Sequence, residues 1–263
     1  MCRFVISIRG PALSIGAIAF GLLFAANIRA DVVTYDTTLA SPDTNPANST
    51  NNLSWYNGSG NNGVQGGWTV DTNNGIEIGL RAKYRQSPEE IDTPTDDYYV
   101  QPGDQNPGHA LWNYEFSIDL EPNGVGTLNL SDIVATLTVT DLNTAATSTV
   151  NLATLAADDS GFGTASGTTG ADRINESPGT LAAFEAGWGA QNSENPEFAN
   201  WPLGTFNSSL PQTYQFVLTV TEGSTILASD TMDVTVAPEP STFLPLGILG
   251  LAFFLLRRRR SVI

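Results

Sequence analysis

Cysteine is nearly missing from this sequence: a single one, Cys2, stands among 263 residues. It lies in a segment that reads as a leader, so what remains has no disulfide, no thiol nucleophile and no thiolate metal site. Histidine is as scarce, with His109 alone. A zinc site built from several His or Cys ligands is thereby excluded. A serine triad would have to use His109, and no Gly-x-Ser-x-Gly elbow accompanies it. In Pro107-Gly108-His109-Ala110 it reads as an ordinary loop residue. Positive charge is also rare between the two ends. Of the 11 Lys and Arg, Arg3, Arg9 and Arg29 open the chain and Arg257 to Arg260 close it. Only Arg81, Lys83, Arg85 and Arg173 remain to face 27 acids, all between Asp31 and Glu239, a balance of about −23. Such a body repels phosphate backbones and anionic lipid, which argues against nucleic-acid binding. It draws cations, so a weak Ca²⁺ affinity is expected and no other cofactor is.

Residues 1–30 read as a secretory signal peptide, which implies passage through the Sec translocon. Arg3 and Arg9 supply a basic start, Leu13 to Ala26 a run of apolar and small residues, and Ala30 a small residue before the first acid, Asp31. Cleavage is expected after Ala30, although Ile28 is less usual than Ala at the −3 position. The run is short for a span of about 20 residues, which favours a signal over an N-terminal anchor.

The other end has three parts: Ala237-Pro238-Glu239-Pro240-Ser241-Thr242, the apolar run Phe243 to Leu256, and Arg257, Arg258, Arg259 and Arg260. Pro238 and Pro240 lack backbone donors and fix φ, so the hexapeptide stays extended and unpaired, in a form that a processing enzyme can grip. As helix, the apolar run is about 21 Å long at a rise of 1.5 Å per residue, short of a hydrocarbon core of roughly 30 Å. Ser241, Thr242 and snorkelling arginines close part of the gap. The arginines orient the tail inside and the body outside. This design suits transient retention better than a permanent anchor, an ordinary single-pass anchor being the alternative. Leu244-Pro245-Leu246-Gly247 is no sortase signal, since it sits inside the run and lacks Thr. A GPI-type tail would not finish in four arginines.

This ending resembles the PEP-CTERM sorting signal of bacterial surface proteins, over residues 237–263 only. The resemblance rests on Pro238, Glu239 and Pro240, the apolar stretch and the terminal arginines. Ala237 stands where Val is common, and Pro245 falls in the first helical turn, where proline is tolerated. The resemblance implies a Gram-negative-type host that makes exopolysaccharide, and processing by an exosortase, an integral-membrane transpeptidase-like enzyme. It implies transient inner-membrane anchoring, then a place at the cell surface or in the extracellular matrix of a biofilm.

Between the signals, residues 31–236 read as one acidic, Asn/Thr/Gly-rich β domain, with 31–67 rich in loop. Period-two alternation recurs. It runs through Ile76, Ile78, Leu80, Ala82 and Tyr84; through Trp112, Tyr114, Phe116, Ile118 and Leu120; and through Ile133, Ala135, Leu137 and Val139. It returns in Tyr214, Phe216, Leu218 and Val220, and in Met232, Val234 and Val236, with Glu222-Gly223-Ser224 as a turn between. Each such strand is expected to bury one face and wet the other, the habit of antiparallel sheets. Asn-Gly pairs at 57–58, 62–63, 74–75 and 123–124 suit tight turns. One helix is expected over Pro178 to Ala186. The fold class is mainly β, an antiparallel β-sandwich with a jelly roll as one form of it, flanked by the signal peptide and a C-terminal hydrophobic helix.

No catalytic residue is assigned in this body. The carboxylate pairs Glu89-Glu90, Asp96-Asp97 and Asp158-Asp159 are what any acid-rich chain offers, and a glycoside hydrolase is the weakest reading. Asp71 and Asn73, in Asp71-Thr72-Asn73-Asn74-Gly75, look like the start of a Ca²⁺ loop, but Ala82 stands where an EF-hand needs Glu and a strand follows. A hairpin turn is the favoured reading. Trp55, Trp188 and Trp201 sit among Gly, Asn and Pro and are the candidates for stacking on sugar rings, with packing under loops as the plainer role. Triplets such as those at Asn48 and Asn207 mean no more than surface glycosylation. The leading expectation is a non-enzymatic surface or matrix protein associated with exopolysaccharide, with a lectin-like module as the alternative.

Overall fold

The computed structural model describes residues 32–40, 66–87, 90–91, 93–122, 126–152, 160–162 and 187–237. The expected signal peptide, most of the expected loop-rich stretch before residue 66, the helix expected at 178–186 and the expected sorting signal from Pro238 onward lie outside the described residues. The described chain is mainly β. Its strands are β1 Val32–Thr37, β2 Trp68–Asn73, β3 Ile76–Tyr84, β4 Asp97–Val100, β5 Asp104–Asn106, β6 His109–Ala110, β7 Trp112–Asp119, β8 Val134–Asp141, β9 Thr147–Asn151, β10 Ser160–Phe162, β11 Gly189–Glu194, β12 Gln212–Glu222 and β13 Thr225–Val236.

They form a six-stranded sheet in the order β1-β2-β3-β7-β11-β10, a five-stranded sheet in the order β4-β13-β12-β8-β9, and a small β5-β6 ribbon. The pairings are antiparallel, with one departure: β4 runs parallel to β13. The chain changes sheet between β3 and β4, so β4 arrives at the free edge of β13 without a hairpin to reverse it. The Asn-Gly pairs at 57–58, 62–63 and 123–124 lie outside the described residues, and the two expected turns within them appear where positive φ is needed. Asn74 and Gly75, at φ 50° and 86°, join β2 to β3, and Gly223 at φ 58° joins β12 to β13. The 12-residue β13 begins directly after that turn, so the strand near the chain's end is longer than the alternation of Met232, Val234 and Val236 implies.

The two sheets differ in how they meet water. In the five-stranded sheet β8, β12 and β13 alternate between buried and part-exposed positions, as the sequence predicts. In the six-stranded sheet every residue of β7, and all of β3 but Tyr84, is buried. The expectation that these strands wet one face is corrected. Leu39, Trp68, Val70 and Trp188 form a second apolar cluster, and Leu39 and Trp68 lie over Gly79, where a methyl group would stand 3.2 Å from each.

The main core holds side chains from both sheets. Phe216 of β12 lies with its ring centroid 5.1 Å from that of Tyr114 and 6.5 Å from that of Trp112, both on β7. Trp201 closes the group edge-on to Tyr214 at 5.3 Å. Polar ties add to this at one end. The Leu80 amide donates to Asp230 Oδ2 at 3.0 Å, the Ser229 amide to Asp71 Oδ2 at 2.9 Å, and Asn74 Nδ2 to the Leu227 carbonyl at 2.7 Å. Each crosses from the β2–β3 hairpin to β13. Truncating Phe216 to Ala removes the ring that both sheets share; unfolding in urea is expected to show a loss of about 3–5 kcal/mol with an unchanged m-value.

Candidate functional site

The second face of the six-stranded sheet gathers the least expected chemistry of the molecule. Its residues are the polar half of each alternation: Glu77, Gly79, Arg81 and Lys83 on β3, and Asn113, Glu115, Ser117 and Asp119 on β7. The register places Arg81 opposite Glu115, Lys83 opposite Asn113 and Glu77 opposite Asp119. Glu115 is fully enclosed, and Arg81 and Lys83 are each 1% exposed. One carboxylate serves both cations. Glu115 Oε2 accepts from Arg81 Nε at 2.6 Å and stands 2.6 Å from Nη2, while Oε1 stands 2.5 Å from Lys83 Nζ.

The rest of the guanidinium is also provided for. Arg81 Nη1 donates to the Gly66 carbonyl at 2.8 Å, and its Cζ lies 4.2 Å from the Trp68 ring centroid in a cation–π contact. Beside the triad, Asn113 Nδ2 donates to Ser193 Oγ and Gln191 Nε2 to Ser117 Oγ, each at 3.0 Å. Asn195 ties the start of β7 down, accepting from the Ala110 amide and donating to the Ala110 and Trp112 carbonyls.

At the other end of this face Glu77 and Asp119 form a cross-strand pair of like charge. Glu77 is 5% exposed and Asp119 fully buried. Glu77 Oε1 accepts from the Ala40 amide at 2.8 Å, and Asp119 Oδ1 from the Glu121 amide at 2.8 Å. Asp119 Oδ2 has no hydrogen-bond partner among the described residues. Burial pushes Glu77 up to about 7, against the opposing pull of the Ala40 amide. Burial also pushes Asp119 well above the usual carboxylate range, and the charges of Glu77 and Glu121 push the same way. Arg81 and Lys83 are committed to Glu115 further along the strand.

The residues singled out in the sequence do not converge here. Asp71 is buried in the first core, its Oδ2 taken by the Ser229 amide, and Asn73 Oδ1 accepts from the Asn74 amide at the hairpin turn. The segment is the β2–β3 hairpin. Trp188 and Trp201, at 7% and 3% exposed, are enclosed by the second cluster and the aromatic core, so neither presents a free face to a sugar ring. Trp55 lies outside the described residues, as do Glu89, Asp158 and Asp159. Asp96 and Asp97 flank the start of β4, at the edge of the five-stranded sheet. His109 packs edge-on to Phe198 at 5.6 Å. Among the described residues no group of three or more His, Cys, Asp and Glu side chains is placed to hold a metal ion.

What sequence reading missed is the buried charge. A strand pattern assigns Glu77, Arg81, Lys83, Glu115 and Asp119 to solvent because they alternate with apolar residues. One signal was available: three of the four cations between the two ends, Arg81, Lys83 and Arg85, crowd into one short stretch. No family model matches the chain, and neither a curated protein nor a solved structure does.

Two outcomes test this face. Glu115→Ala strands two buried cations and is expected to lower stability by about 3–5 kcal/mol in chemical denaturation, whereas the triple change Arg81→Met, Lys83→Met, Glu115→Leu is expected to be far milder. For Glu77 the folded value lies above the unfolded one, so the folded state holds the extra proton. Its contribution is therefore complete below the unfolded value of 4.5 and is lost as pH rises toward about 7. In EDTA, Glu77 should account for roughly 3 kcal/mol of the fall in unfolding free energy across that window, and Glu77→Gln should make the fall shallower by about that amount.

Proposed function

We propose that the chain is an exported, non-catalytic protein of the cell surface or extracellular matrix, sorted and cleaved by an exosortase and associated with exopolysaccharide. One observation carries the reading: the tripartite end of the sequence, with Pro238-Glu239-Pro240, the apolar run and Arg257 to Arg260 in order. The way the β domain finishes is in keeping with it. β13 runs to Val236, and the Ala237 amide donates to the Val100 carbonyl at 3.0 Å as the last described backbone bond. Pro238 and Pro240 come immediately after, so pairing along β13 meets residues without a donor just beyond that bond. Among the described residues, the last member of the main apolar cluster is Val236, two residues before Pro238.

The finer architecture belongs to the same reading. Two sheets that both contribute side chains to one core, with the chain passing repeatedly from one to the other, support reading the domain as a β-sandwich of jelly-roll character. A compact, anionic, disulfide-free sandwich suits a spacer or matrix component whose solubility comes from charge.

Intact mass of the protein recovered from the native host tests this directly. The expected species starts near Asp31 and ends near Pro238 to Pro240, and deletion of Arg257 to Arg260 is expected to leave precursor in the cell. A mature polypeptide that keeps its arginine tail, or a tail deletion with no effect on destination, would remove the proposal.

A further inference from the structure

We infer that Glu77 and Asp119 form the floor of a binding site for a hard divalent cation of the Ca²⁺ class, on the second face of the six-stranded sheet. The inference is independent of how the chain is sorted. Two carboxylates stand side by side in the β3–β7 ladder, where side chains of directly opposed residues are about 5 Å apart at Cβ. Like charges in that position repel, and here both are withdrawn from water. Among the described residues, the cations of the same face lie away from the pair: Arg81 is four residues along β3, about 13 Å away, and Arg81 and Lys83 share Glu115.

The fully buried Asp119 Oδ2, without a hydrogen-bond partner among the described residues, is the second and separate indication. A buried carboxylate oxygen left so is costly in an apolar setting and is ordinary next to a metal ion. The amides of Ala40 and Glu121 take Glu77 Oε1 and Asp119 Oδ1, which fixes both head groups in place.

The flanks of the pair suit a small ion. In the same register lie Thr72 on β2 and Gly189 on β11. Gly189 carries no side chain, and Thr72 is exposed, which puts the pair one residue from solvent. Two carboxylates are fewer than a closed Ca²⁺ cage uses, so water completes the shell. The affinity class is that of extracellular modules, about 10⁻⁴–10⁻³ M. The site differs from the Asp71–Asn73 hairpin, where the Ser229 amide holds Asp71 Oδ2.

Calorimetric titration of the full chain in detergent with CaCl₂, after EDTA treatment, tests this. One saturable site per chain is expected, together with a melting temperature that rises and then levels off. Terbium should report the same site by emission excited through nearby tryptophan and displaced by Ca²⁺. The variant Glu77→Gln, Asp119→Asn should lose at least tenfold in affinity and lose the terbium signal. The variant Asp36→Asn, Glu222→Gln removes the same charge from exposed positions and should keep both. Glu77→Gln alone, the milder change, should weaken binding while leaving the circular dichroism spectrum of the wild type. The inference is overturned if the wild type shows no saturable site, or if Glu77→Gln and the double variant bind as the wild type does.

Discussion

Strands β3 and β7 are enclosed on both faces, so polar side chains that alternate with the core have to find partners inside the protein. Glu115 is the centre of that constraint. It faces two cations from the neighbouring strand with a single carboxylate, and all three groups are withdrawn from water. Such a cluster is a poor source of net stability, because desolvation offsets most of the attraction. Its consequence is register. A slip of one residue between β3 and β7 would carry Arg81 and Lys83 into the aromatic core and leave Glu115 without a cation. The ion triad therefore ties the central pairing to one alignment, and the flanking β2 and β11 are built on that pair.

This alignment sets the positions of the remaining buried acids. Glu77 and Asp119 come together because Arg81 and Glu115 do, four register positions away. Asp71 and Asp230 meet at the opposite face, where they hold the amides of Ser229 and Leu80 and bind the β2–β3 hairpin to β13. Burial raises Asp230 well above the usual carboxylate range, with Asp71 adding to it. Both pairs sit in a chain that is already strongly anionic, so local repulsion and overall repulsion act in the same sense. An extracellular setting rich in divalent cations would relieve both, which links the inferred cation site to the proposed location.

The domain and the proposed sorting motif are separate in kind. The domain's last strand is long, regular and paired on both sides by β12 and β4. The segment after it is proline-rich and then apolar, a composition suited to an enzyme cleft and a membrane. In the proposed reading, processing acts just beyond β13, the last described strand.

The same difference in kind sets how much of the protein was legible in its sequence. Alternation located β3, β7, β8, β12 and β13, because a period of two is a local property of a strand with one apolar side. Asn74-Gly75 marked a real turn for the same local reason, positive φ at both residues. The short strands β4, β5, β6 and β10 gave no such signal. The parallel pairing of β4 depends on where the chain re-enters a sheet, which no local pattern records. Whether a polar face meets water or another layer of chain was likewise invisible, since Glu115 beside Arg81 has the same one-dimensional pattern wet or dry. For Trp188 and Trp201 the neighbouring Gly, Asn and Pro left both sugar stacking and packing under loops open, and the fold decides for packing. The long strands, the charge and the two expected processing signals are written in adjacent residues, and reading along the chain is enough to find them. Which charges are buried, and which carboxylates meet, was left to the fold, because burial and pairing across strands depend on residues far apart in the chain.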